Sequence, residues 1–87
     1  MKIIELKNLI RKDFPIYYRR LYSGIVVLDF LNKVLEVSLD FQIEHKPTGH
    51  KEIKITSLGN IDYPLVPLQK EIKKVIGEHD SNGMLPN

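Results

Sequence analysis

From Val34 to Glu44 the chain alternates almost without a break. Leu35, Val37, Leu39, Phe41 and Ile43 fall on one side; Glu36, Ser38, Asp40, Gln42 and Glu44 fall on the other. Only an extended strand sorts neighbouring residues onto two faces in this way. The stretch therefore belongs in a sheet with one dry face and one wet face. The rest of the chain must give that strand partners and cover its apolar side.

The flanking segments supply the partners. Ile25 to Leu31 is apolar enough for a strand, and Asn32-Lys33 reads as a two-residue turn. That turn would set Phe30 against Leu35, Leu28 against Val37, Val26 against Leu39 and Gly24 against Phe41. A slip of one residue would break every apolar match. On the other side, Pro47-Thr48-Gly49 carries the Pro and the left-handed Gly that a three-residue hairpin loop requires. It pairs Lys46 with His50, Ile43 with Ile53 and Phe41 with Ile55, so a third strand runs from about His50 to Ser57. Glu44 then faces Glu52, a like-charge pair that Lys54 is placed to soften.

Cover for the apolar face is expected from helices. Ile3, Leu6, Leu9, Ile10 and Phe14 recur at steps of three and four. That spacing predicts a helix over about Lys2 to Asp13, stopped by Pro15. The segment from Ile16 to Tyr22 reads equally as a short helix capped by Asp13 or as an extended lead into the first strand. A second helix is expected from about Val66, with Leu68, Ile72, Val75 and Ile76 on its inner face and Pro67 in its first turn. It ends either at Gly77 or at Gly83, leaving 83–87 as a frayed tail. The expected fold is α+β: a two-layer α-β-β-β-α sandwich, a three-stranded antiparallel meander with both helices on one face. Residues 1–87 form a single domain.

The order α-β-β-β-α resembles that of the double-stranded RNA-binding domain. The likeness is one of topology. The connection that carries a Gly-Pro and a His in that family is the short Asn32-Lys33 here, and its lysine cluster is replaced by Tyr63-Pro64-Leu65-Val66-Pro67. No functional residue is carried over.

Several classes of function find no support. The 87 residues contain no cysteine, so neither a disulfide nor a thiolate metal site is available. That, with charges too closely spaced for a signal peptide and no apolar run of membrane-spanning length, favours a cytoplasmic protein with no membrane association. Ser23, Ser38, Ser57 and Ser81 lack a nucleophile-elbow context, and there is no phosphate-cradling glycine loop. No catalytic, cofactor-binding or metal residue is assigned. His45 and His50, near Glu44 and Glu52, read as turn-adjacent surface residues rather than ligands, and His79 suits the negative end of a helix.

Charge is distributed unevenly. Residues 1–22 hold Lys2, Lys7, Arg11, Lys12, Arg19 and Arg20 against Glu5 and Asp13, a balance of +4; residues 23–45 hold Lys33 against four acids, a balance of −3. A basic N-terminal surface of Arg11, Lys12, Tyr17, Tyr18, Arg19 and Arg20 would suit nucleic acid, with rings for bases and guanidiniums for phosphates. The outer sheet face argues the other way, because it is expected to be acidic, with Lys54 as its lone cation. The favoured function is a non-catalytic protein-interaction module; nucleic-acid binding is the alternative. Ile25 to Leu28 is apolar on both faces yet lies at the edge of the expected meander, where bare backbone recruits other chains. Either residues 17–22 fold over that edge, or two copies pair there. The second arrangement, a homodimer with Ile25 and Val27 at the seam, is preferred.

Overall fold

Lys2–Lys12 is a strand, not a helix, and this changes the architecture. The computed structural model describes residues 2–13, 15–61 and 63–86. It contains β1 (Lys2–Lys12), β2 (Arg19–Phe30), β3 (Lys33–His45), β4 (Lys51–Leu58) and α1 (Leu65–Ser81). The four strands form one antiparallel sheet in the order β1-β2-β3-β4. The three-stranded meander with two helices is therefore corrected to a four-stranded meander with one. The α-β-β-β-α order, and with it the topological likeness to the double-stranded RNA-binding domain, is lost.

The cause lies in two irregularities of β1. Its register against β2 shifts between Ile3 and Glu5, and again between Lys7 and Ile10, where Asn8 adopts a positive φ of 55°. Each bulge inserts one extra residue. An inward spacing of two thus becomes a spacing of three: Ile3 opposite Leu28, Leu6 opposite Val26, and Leu9 against Gly24. Steps of three imitate a helix. Ile10, expected in the core, pairs with Ser23 on the opposite face and is exposed. Phe14, the last residue of the expected helical stripe, lies outside the described residues.

With β1 in place, β2 is a central strand and its apolar character on both faces is accounted for. Lys7 pairs with Ile25 and Glu5 with Val27. The edge at which a second copy was to pair through Ile25 and Val27 is thus occupied by the chain's own N-terminal strand. Residues 17 and 18 do not cover it.

The β2–β3 hairpin turns at Leu31-Asn32, both left-handed (φ 51° and 62°), rather than at Asn32-Lys33. Every partner moves by two residues: Leu28 faces Leu35, Val26 faces Val37, and Tyr22 replaces Gly24 opposite Phe41. Parity survives a shift of two, so each residue keeps its expected face. The β3–β4 hairpin follows expectation. Ile43 faces Ile53, Phe41 faces Ile55, and Gly49 takes a φ of 90°. A bulge at Thr56 then lets Leu58 meet Leu39.

Helix α1 lies on one face of the sheet through Leu68, Ile72 and Ile76, all fully buried against Tyr22, Val26, Leu28, Leu39, Phe41 and Ile43. It passes through Gly77 and ends at Gly83 (φ 68°). There the Met84 N–H donates to the His79 carbonyl at 2.9 Å and the Gly83 N–H to the Asp80 carbonyl at 3.1 Å. This is a Schellman closure, which satisfies two of the last free carbonyls. The chain beyond it is not a frayed tail throughout: Leu85 is buried in the core, while Asn87 lies outside the described residues.

Candidate functional site

The domain is elongated, 41 × 23 × 23 Å. Its candidate site lies at one end of the sheet, where the β1–β2 connection meets the β3–β4 hairpin. The approach to β2 is a turn, with the Arg19 N–H donating to the Ile16 carbonyl at 3.2 Å. The His45 N–H then donates to the Tyr18 carbonyl at 2.7 Å and pins that turn to the end of β3. A groove of about 550 Å³ results, lined by Tyr17, Tyr18, Glu44, His45, Lys46 and Pro47. The two tyrosine rings meet edge to face, with centroids 5.7 Å apart at 86°. Tyr17 is 93% exposed, although aromatic rings normally seek burial.

Charge beneath the groove is compensated within the chain. Glu44 accepts from Lys46 Nζ at 2.9 Å and from Arg19 Nη2 at 2.9 Å. These two cations, Lys46 first, hold its carboxyl below the usual range, and the same pairing raises the Lys46 ammonium. Lys46 also reaches Glu52 at 3.4 Å, and Lys54 meets Glu52 at 3.3 Å. The facing glutamates of β3 and β4 are thus bridged, by Lys46 as well as by the expected Lys54. The Arg19 guanidinium lies 5.9 Å from the Tyr18 ring centroid, close enough for a cation–π contact, and its buried Nε has no partner among the described residues.

Arg20 forms a second hub. Its Nε donates to His45 Nε2 at 3.3 Å, Nη1 to the Tyr22 hydroxyl at 3.0 Å, and Nη2 to Asp80 Oδ1 at 3.0 Å. A guanidinium only donates, so Nε2 of His45 is the acceptor and its proton resides on Nδ1. Asp80 also accepts from Lys51 Nζ at 2.8 Å. Burial works to raise the Asp80 carboxyl, but the hydrogen bonds from Lys51 and Arg20 outweigh it and hold it low. Burial likewise opposes charge on Arg20, and the Asp80 hydrogen bond more than offsets it.

The six residues singled out for nucleic acid do not share one surface. Arg11, opposite Tyr22, lies on the helix side of the sheet, and Lys12, opposite Leu21, on the other. Arg19 and Arg20 split between the same two faces. Lys12 reaches Asp40 at 3.5 Å and Lys7 reaches Glu36 at 2.9 Å. The outer face therefore carries cations of β1 opposite the acids of β3, so Lys54 is not alone there. Sequence polarity of +4 and −3 cancels in space because the basic strand and the acidic strand flank β2. Sequence reasoning found Tyr17 and Tyr18. It missed Asp80, whose only signal was a carboxylate near a helix end, and it gave no role to His45 beyond a surface turn. His50 accepts through its backbone from Lys46 and is exposed.

Among the described residues no helix is long and apolar enough to cross a membrane. Fold and site together define a small α+β domain, a four-stranded antiparallel sheet backed by one helix, with an aromatic groove at one end. The chain belongs to the BB_0187 family, whose family model matches residues 1–81. Comparison with curated proteins and with solved structures yields no significant match.

Proposed function

We propose that the domain is a non-catalytic protein-interaction module and that the groove of Tyr17, Tyr18 and Pro47 is its docking site. One observation carries this reading: the rings of the Tyr17–Arg20 segment are left open while its two arginines are neutralised. Arg19 is held by Glu44 and Arg20 by Asp80. Phosphate recognition depends on cations free to displace counterions, whereas protein recognition favours rigid aromatic side chains that lose little entropy on binding. Paired arginines beside free tyrosines match the second requirement.

Amide chemical shifts of the labelled domain test the reading, recorded against peptide pools and against duplex and single-stranded nucleic acid over a salt series. Peptides are expected to perturb Tyr17, Tyr18, His45 and Lys46, and nucleic acid to show only weak, salt-sensitive attraction. Micromolar nucleic-acid binding at physiological salt, lost on changing Arg19→Ala with Arg20→Ala, would overturn it.

A further inference from the structure

We infer that the occupant of the groove is an extended, proline-containing segment of low charge from a partner protein. This deepens the docking reading and rests on it.

Charge is the first argument. Glu44 has both carboxylate oxygens engaged, one by Arg19 and one by Lys46, and Lys46 is shared with Glu52. A charged ligand would have to displace one of these contacts. An uncharged one displaces none.

Shape is the second. Two rings set at 86° make a notch with one flat wall and one edge, and Pro47 adds a rigid apolar shoulder. A flat ring face is a good match for a pyrrolidine ring. A polyproline II segment also arrives already extended, so little conformational entropy is lost on docking. Its carbonyls have no internal hydrogen bonds and stay open to donors such as tyrosine hydroxyls. The groove's volume of about 550 Å³ holds a few residues of such a segment, not a folded element.

The turn that presents the rings is tied down rather than loose. The Tyr18 carbonyl accepts from the His45 backbone, and His45 is in turn engaged by Arg20. A fixed notch selects a fixed ligand shape.

The test is titration of the full chain with a blocked oligoproline peptide, read by amide shifts and tyrosine fluorescence. Controls are proline-free apolar, acidic and basic peptides of equal length. Oligoproline should shift Tyr17, Tyr18, His45 and Lys46, with an affinity that salt leaves unchanged. Tyr17→Ala should weaken it by about tenfold or more, the loss expected of an aromatic anchor. Tyr17 is almost wholly exposed, so an unchanged denaturation midpoint confirms that this variant is folded. If a proline-free or charged peptide binds in a Tyr17-dependent way and oligoproline does not, the ligand class is wrong and the docking reading stands. If no peptide perturbs the groove, both fall.

Discussion

Arg20 and Asp80 are 60 residues apart in the chain and 3.0 Å apart in space. Their contact fastens the last turn of α1 to β2, while Lys51 reaches the same carboxylate from β4 at 2.8 Å. One acid near the end of the helix thus collects cations from two strands, beside the groove wall formed by His45.

Replacing that acid should loosen the helix end. Asp80 is 12% exposed and accepts two charge-assisted hydrogen bonds, so Asp80→Asn is expected to cost about 1–3 kcal/mol at neutral pH. The pH dependence has a fixed sign. A carboxyl held below its unfolded value stabilises the fold fully above the ordinary carboxylate range, and that stabilisation is lost as pH falls through the lowered folded value. Urea midpoints of the two proteins should therefore differ most near neutrality and converge below about pH 4. A gap that stays constant down to acid pH would show that the loss is not electrostatic.

The β2–β3 turn stores strain at an unusual residue. Leu31 takes a φ of 51° and is 78% exposed, where a two-residue turn of this hand prefers Asn, Asp or Gly. Leu31→Asn should raise stability by about 0.5–1 kcal/mol, because Asn tolerates the left-handed region and the lost side chain buries little. An increased denaturation midpoint with unchanged m-value is the expected result.

Gly77 offers a gain of another kind. It lies inside α1, and a methyl group placed there would rest 3.7 Å from Ile53 Cδ1, an ordinary contact. Gly77→Ala should stabilise by up to about 1 kcal/mol through helix propensity and a less flexible unfolded chain. A loss of stability instead would mean that α1 sits closer to β4 than its backbone indicates.

How far the fold could be read from sequence depends on how local its determinants are. β3 was legible because its alternation is unbroken. The β3–β4 register was legible because Pro47 and Gly49 set the loop length. The β2–β3 register was off by two because neither Leu31 nor Asn32 is the Gly that would have marked the turn. β1 was misread because its bulges are backbone events with no obligatory residue: Asn8 alone hints at a left-handed position, and the resulting steps of three coincide with helical spacing. At the site, Tyr17 and Tyr18 stand out as adjacent rings in any reading. The neutrality of their surroundings does not, since Glu44 and Asp80 meet the arginines only after β3 and α1 have docked.

Gly24 provides the sharpest test of β1 as a strand. A Cβ there would lie 2.6 Å from Leu9 Cδ2, 3.1 Å from the Lys7 carbonyl oxygen and 3.3 Å from Leu9 Cα. The Leu9 side chain can swing aside, but the two backbone atoms belong to the second bulge and can yield only if β1 moves. Gly24→Ala should therefore destabilise by about 1–3 kcal/mol, the usual cost of crowding a packed site. The damage should also be local. Amides of β1 from Lys7 onward should lose hydrogen-exchange protection, while those pairing β3 with β4 keep theirs. Were residues 2–13 a helix, no bulge would sit over Gly24 and β1 would have no ladder to lose. A neutral Gly24→Ala with unchanged exchange in residues 2–12 would refute the four-stranded sheet.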